Sequence, residues 1–432
     1  MISLPPALLH PDFRRLWVSM LCSGVAMQMA QVAIGWQVYS IHHSAFDLGL
    51  IGLAEFVPVA LLALPAGQIA DRLPRVTLTI FWGFADAVVA ALLLLVTIHG
   101  ADQLWQFVLL ALMAGTIAAM GNPAGRSLVP ELVPADLLTG AIALRSIAFQ
   151  AATIAGPAVG GLLFAISPEA VYGSAVGLLV AASLILFPIT RPEAVPRSAV
   201  EPPRLQALFA GIRFIRDTPI LLGAITLDLF AVLFGGAVAL LPLFAKSILH
   251  TGPFGLGVLR SAIAVGALAA GLMIARKPLG HRAGRTLLIA VGVFGASMVV
   301  FGLSRWFWLS ALALGVSGFV DMISMNIRGT TAAFATPNEL RGRVTAVESV
   351  FIGASNELGA FESGVAAALL GAVPAVVLGG GLTIVLALVW PRLFPELAGV
   401  DRLEDVRPSA ARAREVLPVG GGRPPTAPEP AD

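Results

Sequence analysis

The chain reads as an all-α membrane protein of twelve transmembrane helices in two pseudo-symmetric six-helix halves. Three observations predict this. Hydrophobic residues make up 57% of the chain and charged ones 12%, with a mean hydropathy of +0.89; soluble domains hold about 45–50% apolar and about 25% charged residues. The 432 residues divide into about a dozen apolar runs, each near the ~20 residues that a helix needs to cross ~30 Å of hydrocarbon. Landmarks in the first half of the chain return in the second at a nearly constant offset.

Lipid decides between helices and strands. Backbone N–H and C=O groups find no partner in hydrocarbon, so a span is a helix or part of a closed barrel. Barrel strands are ~10 residues long and alternate in polarity. Runs such as Val88 to Ile98 and Val376 to Trp390 do not alternate. The predicted spans are 16–40, 47–69, 77–99, 103–124, 138–165, 169–190, 219–246, 254–275, 286–303, 306–328, 344–370 and 373–394. The first run follows Arg14 and Arg15 and is too long for a cleaved signal segment.

These spans group into an N-terminal half (1–190), a cytoplasmic linker (191–218), a C-terminal half (219–394) and a tail (395–432). The tail is rich in Pro, Ala, Arg and Gly, and disorder is expected for it. Within the linker, 204–217 predicts a short amphipathic helix at the membrane surface, with Leu205, Leu208, Phe209, Ile212 and Ile215 facing lipid.

Placing the N-terminus inside puts all but four of the 27 basic residues on cytoplasmic ends and loops. Lys246 and Arg305 fall outside, and Arg145 and Arg260 fall within spans. The positive-inside bias then predicts both termini in the cytoplasm. It also explains the net charge of +2 without invoking nucleic acid. The single cysteine, Cys22, allows no internal disulfide and offers no metal site.

The repeats are local but share one offset. Gly67, four residues before Asp71-Arg72, matches Gly271, four before Ala275-Arg276, at 204 positions. Pro134-Ala-Asp136-Leu137 matches Pro337-Asn-Glu339-Leu340 at 203. Arg145-Ser146 aligns with Glu348-Ser349 at the same 203. Six spans followed by six in parallel is the build of transporters made from two related halves.

The loop after span 2 reads Gly67-Gln-Ile-Ala-Asp71-Arg72-Leu-Pro74-Arg75-Val76. It resembles the signature of the major facilitator superfamily at that place, a Gly followed by Asp-Arg and a basic cluster. Pro74 stands where Gly is usual and Val76 where a basic residue is usual. The resemblance implies that Gly67, Asp71, Arg72 and Arg75 help latch the halves together on the cytoplasmic side. Asp71 is placed to accept from N–H groups at the start of span 11 near Arg343 and to pair with Arg126. The plainer reading is an N-cap beside topology-setting arginines.

Span 5 carries Gly156-Pro157-Ala-Val-Gly160-Gly161, which resembles the glycine–proline motif of the superfamily's antiporters. Glycines let helices approach closely, and a proline bends the span by removing a donor; ordinary packing is the alternative. Arg341-Gly342-Arg343-Val344 before span 11 and Phe13-Arg14-Arg15-Leu16-Trp17 before span 1 are similar to the enterobactin-exporter-like group of drug:proton antiporters. The likeness covers nearly the whole chain apart from the tail. It implies a monomeric transporter in the bacterial cytoplasmic membrane, exporting a small molecule in exchange for protons, with no cofactor, no metal and no catalysis. The arginine that some drug antiporters carry in span 4 is absent from 103–121.

Ionisable groups inside a span mark functional sites by default. Here they are Glu55, Asp86, Arg145, Asp228, Arg260, Asp321, Glu357 and Glu362. Asp228, Asp321 and Glu357 lie nearest the midplane and are the candidates for carrying the coupling proton; in the superfamily, spans 7 and 10 line the cavity. Structural pairing, for example of Arg145 or Arg260 with Glu357 or Glu348, is the competing assignment. Gln28, Gln31 and Trp36, with Arg145, are candidates for lining a substrate cavity. A facilitator or uptake carrier of the same fold, and a non-transport sensor or assembly protein, are the remaining readings.

Overall fold

In a computed structural model, residues 5–100, 103–189, 204–277 and 280–406 are described, with the side chains of 63–72, 126, 204–208, 338, 339 and 346 outside the description. Twelve long helices follow one another through mostly short connections. They are α1 (Pro11–His42), α2 (Ala45–Arg72), α3 (Arg75–Ile98), α4 (Leu104–Leu132), α5 (Leu138–Ile166) and α6 (Pro168–Leu186) in the first half. The second half holds α7 (Pro219–Gly235, extended by short segments to Ile248), α8 (Gly252–Arg276), α9 (Ala283–Leu303), α10 (Phe307–Ala335), α11 (Asn338–Leu370) and α12 (Ala372–Leu393).

Eleven of these are long and apolar enough to cross a membrane. The twelfth, α11, has 33 residues, but Glu348, Glu357 and Glu362 lower its apolarity. Several helices outrun the predicted spans at one end. At about 1.5 Å per residue, the 33 residues of α11 cover about 50 Å against ~30 Å of hydrocarbon. The surplus lies where α1 begins and α12 finishes, called here the termini end; the opposite end is distal.

The two halves repeat one packing plan. In the first, α1 packs on α5 and α6, α2 on α4, and α3 on α4 and α6. In the second, α7 packs on α11 and α12, α8 on α10, and α9 on α10 and α12. Each pairing recurs six helices later. The two most extensive pairings across the halves are α2 with α11 and α5 with α8, and they are related by the same shift.

The seventh span is not the continuous helix expected over 219–246. It stops at Gly235, passes Gly236 at φ −75° and ψ 66°, and continues as a tighter turn, a short helical piece with Pro242, and a wide turn over Phe244–Ile248. A break inside lipid exposes carbonyls that need donors. Ser363 Oγ on α11 donates to the Gly236 carbonyl at 2.9 Å.

The linker ends in a helix, Arg204–Arg216, close to the predicted 204–217. Phe209 and Ile212 are exposed, as expected of a lipid-facing side. Ile215 is not: with Phe214 it is buried against Leu340, Val344 and Val347 at the start of α11. Gly211 permits this approach, since a Cβ there would lie 2.9 Å from the Arg343 carbonyl. Leu205 and Leu208 lie outside the described side chains.

The expectation of a disordered tail from 395 also needs correcting. Pro395–Ala398 and Leu403–Asp405 form short helical turns, with Leu397 and Leu403 buried in the core of the second half. Their polar atoms finish α9. Asp401 Oδ1 accepts from the Arg282 N–H at 2.8 Å, and the Asp401 and Val400 carbonyls accept from Ala283 and Gly284, each at 2.9 Å. The first N–H groups of a helix have no partner within it, and α9 has no capping side chain of its own. Composition signals flexibility here, but a few apolar residues and an aspartate suffice to dock the segment. Residues 407–432 lie outside the described residues.

The His281 ring nitrogen and the Arg282 N–H hold the Asp401 carboxyl below its ordinary value of 3.8. A lowered carboxyl stabilises the fold fully above the ordinary range, and that contribution is lost as pH falls through the lowered value. Asp401→Ala is expected to lower the unfolding temperature of the detergent-purified protein. Deletion from 395 should lower it further, whereas deletion from 407 should leave it within a degree or two, as read by intrinsic fluorescence during a thermal ramp.

Candidate functional site

Contacts between the halves cluster toward the distal end. Lys246 Nζ, on the wide turn after α7, donates to the Ser40 carbonyl at 3.4 Å and stands 6.0 Å above the Trp36 ring. Tyr39 and Ser247 hydroxyls share a hydrogen bond of 2.8 Å. A Cβ on Gly35 would lie 3.1 Å from Pro242. Between α5 and α8, Gln150 Nε2 donates to the Ala264 carbonyl and Ser261 Oγ to the Ile154 carbonyl, each at 2.7 Å. Between α2 and α11, Gly49 faces Gly364 across the seam, and the Phe46 and Phe361 rings meet edge-on at 6.1 Å. These four hydrogen bonds joining the halves lie in the middle of the bundle or beyond it toward the distal end.

The glycine–proline motif of α5 builds both sides of this arrangement. Gly156 faces Gln28 and Gly160 faces Met29 on α1; added Cβ atoms would come 2.5 Å from the Gln28 Cβ and 2.8 Å from the Met29 Cα. Gly161 faces the other half, where a Cβ would stand 2.6 Å from the Pro253 carbonyl and 3.2 Å from Gly257 on α8. Gly257 in turn abuts the Pro157 carbonyl. The motif thus packs α5 on α1 within its half and on α8 across the seam.

Toward the termini end, exposed side chains on α1 and α10 outline the space between the halves, called here the chamber. On α1, Met27 and Gln31 are exposed, and the strip stops at Gly35, where Pro242 closes it. On α10, Trp308, Leu312 and Val316 form one exposed face. Asp321 and Met325 are exposed as well, but at ~100° per residue they point to the opposite side of the helix. The apolar face meets lipid and the Asp321 face meets the chamber.

Behind Asp321 is a buried ion pair. Arg328 Nη1 on α10 lies 2.5 Å from Asp228 Oδ2 on α7, with the two side chains 8% and 10% exposed. Arg328 Nε donates to Ser324 Oγ at 3.2 Å. Asp321, Ser324 and Arg328 share a helix face by their spacing. Asp321 and Glu348 of α11 both lie within electrostatic reach of the pair. Three carboxylates and one guanidinium therefore adjoin the chamber wall.

Of the three acids singled out for the proton, Asp228 and Asp321 come together here. Glu357 is elsewhere, against α2: its Oε2 is 3.5 Å from where a Cβ on Gly52 would stand. Asp228 is not unpaired, and its partner is neither Arg145 nor Arg260. Arg328 is the last residue of predicted span 10, where it reads as an end charge. The helix runs two turns further, to Ala335, and places Arg328 in the interior. Its spacing of seven from Asp321, two turns on one face, is the signal that the sequence offers.

The cavity candidates divide as well. Gln31 faces the chamber, whereas Gln28 is packed on Gly156. Trp36 is buried beneath Lys246 and belongs to the distal seal. Arg145 is half-buried on α5 and engaged. Gln37 ties the first half together, accepting from the Tyr172 hydroxyl at 2.8 Å and donating to Thr97 at 3.1 Å. Arg75 pairs with Glu131 and donates to the Ser127 carbonyl at 3.2 Å, so its described contacts join α3 to α4 within one half. The side chains of Gly67, Asp71, Arg72 and Arg126 lie outside the described residues. An apolar groove of about 580 Å³ between α2, α3 and α4 is lined by Pro58, Phe81, Val88 and Met113 among others; it carries no charge and lies in one half.

A family model described as transmembrane secretion effector matches residues 3–411. The chain belongs to this family of the major facilitator superfamily. Curated relatives include the enterobactin exporter EntS of Citrobacter koseri, 27% identical over 392 residues, covering 87% of this chain and 90% of that protein. The enterobactin exporter EntS of Shigella dysenteriae serotype 1 is 28% identical over 382 residues, covering 85% and 86%. Among solved structures, a point mutant of the nucleoside transporter NupG superposes with a TM-score of 0.73 at 12% identity, over 89% of this chain and all of that one. A bacterial homologue of the human lysosomal transporter Spinster, inward-facing and unoccupied, superposes at 0.68 with 15% identity, over 92% and 98%. These neighbours share the fold. The family member described here is a multi-pass membrane transporter and not an enzyme.

Two outcomes follow from the geometry. Removing one partner of a buried ion pair leaves the other charge uncompensated, at about 3–5 kcal/mol. Arg328→Gln should therefore reduce unfolding stability far more than Asp321→Asn, measured by denaturant titration in detergent. Gly161→Leu should prise the distal seam apart, so a cysteine at Ser247 reacts faster with a membrane-impermeant maleimide than in the Gly161 parent, both lacking Cys22.

Proposed function

We propose that this transporter exports small molecules from the cytoplasm across the bacterial cytoplasmic membrane by alternating access, in exchange for protons. The observation that carries this reading is the exposed Asp321 beside the buried Asp228–Arg328 pair, on the termini side of the hydrogen bonds that join the halves distally at Tyr39 and Lys246. The positive-inside bias supports a cytoplasmic termini end. The family's description as a secretion effector and the relatives named as enterobactin exporters support outward movement and a siderophore-like cargo.

The chemistry is one of competing protons and cargo. Arg328 is engaged by Asp228, so Asp321 is the acid of this group that meets the chamber without a direct ion-pair partner. An ionised carboxylate there holds a cationic or hydrogen-bond-donating group of the cargo more strongly than the protonated carboxyl does. Loading cargo from the cytoplasm thus favours proton release, and a proton arriving from the other side favours cargo release. Asp228 and Arg328 hold α7 to α10 while the halves rock, and Gln31 and Met325 supply a mixed polar and pliable lining suited to a bulky amphipathic compound.

Proteoliposomes with an imposed pH gradient test the reading against a panel of siderophores and drugs. Gradient-driven movement is expected for at least one compound, with Asp321→Asn abolishing the dependence on the gradient while binding persists. Absence of gradient-dependent transport for every compound, or full coupling in Asp321→Asn, overturns it.

A further inference from the structure

Glu55 and Glu357 stand outside the cluster around Arg328, on opposite halves, where α2 crosses α11. This is a close seam. A Cβ on Gly52 would lie 3.1 Å from the Ala360 Cβ and 3.5 Å from Glu357 Oε2. Glu55 follows Gly52 by three residues, on the same helix face. Glu357 and Arg260 both act electrostatically on Glu55.

Arg260 comes from α8, which meets the first half at α5, so it reaches Glu55 from a different wall. Its Nε is buried and has no hydrogen-bond partner. Among the described residues, none of the three closes a direct ion pair. Two acids and one base thus face a common space where the halves meet, held near one another but not locked.

Among the described residues, no other charged group is recorded as acting on Glu55 or Glu357. α4 presents its backbone, with Gly115 against the Glu55 carbonyl, and its charges, Arg126 and Glu131, lie near the termini end. α1 has Asp12, Arg14 and Arg15 at that end and no charge at the level of Glu55. The segment of α7 near α2, Ala237–Leu240, is uncharged. On α11, Glu362 is turned toward Phe234 and Gly235 of α7, and Glu348 toward Arg328.

We propose that Glu55 and Glu357 form a shared proton site across the seam between the halves, with Arg260 as its counter-charge. With one proton between them, the carboxyl of one donates to the carboxylate of the other and the seam holds. With none, two like charges face each other in a medium of low dielectric, and α2 separates from α11 at the distal end. The proton arrives from the distal side while the seam is open and leaves through the chamber after it closes. The inference rests on the transport reading for its use and adds a second proton site to Asp321, one that governs the seam instead of meeting cargo.

Pulsed electron paramagnetic resonance tests it in nanodiscs, with spin labels on His99→Cys and Arg305→Cys in a Cys22→Ser background. The distal label distance is expected to lengthen by roughly 5 Å or more between pH 5.5 and 8.5. Glu55→Gln and Glu357→Gln should each keep the short distance at both pH values, and Asp321→Asn should keep the parent's response. A parent distance that does not change with pH, or a Glu357→Gln protein that responds like the parent, overturns the proposal. Should Glu55→Gln fail to fold, Glu357→Gln alone decides. No transported compound enters this measurement, so its failure is separable from failure of the export reading.

Discussion

Lipid supplies neither hydrogen bonds nor counter-charges, and this constraint orders everything inside the bundle. Each polar group must be matched within the protein or opened to water. The charged and polar groups described above meet it in three ways, while a few buried atoms such as Arg260 Nε stay unpartnered. Gln37, Tyr172 and Thr97 close a network within the first half. Asp228 and Arg328 neutralise each other within the second. Asp321 avoids burial by facing the chamber. The break in α7 obeys it as well, because Ser363 supplies the donor that the Gly236 carbonyl lacks.

Small residues then set where the halves touch. Gly161 and Gly257 bring α5 against α8, while Gly49 and Gly364 bring α2 against α11. These two seams are rotational counterparts. The second half has an apolar core of its own around Leu227, Leu287 and Trp390, while the core around Phe244, Phe301 and Leu314 reaches across to Val32 and Trp36 of the first half.

Much of this is legible in the sequence, and the reasons are physical. Spans announce themselves because twenty apolar residues have no other use, and the duplication shows in paired landmarks such as Pro134 and Pro337. Charge partners are not legible. Pairing depends on rotation about each helix axis and on overhang beyond the membrane, and the extension of α10 past residue 328 turns a supposed end charge into the partner of Asp228. Trp36 misleads for a similar reason: a ring near amides suggests a cavity, but Lys246 from the other half covers it. The docking of 395–406 is hidden by composition, which averages over the few residues that anchor it.

That docking bears on how the protein is made. The opening N–H groups of α9 find their acceptors at residues 400 and 401, with Arg282 and Asp401 separated by 119 positions. During synthesis the ninth helix is therefore threaded into the membrane long before its cap exists. The second half remains unfinished until the last helix has been inserted and the chain has doubled back, so nascent chains halted short of that point are the forms that quality-control proteases meet with an open end.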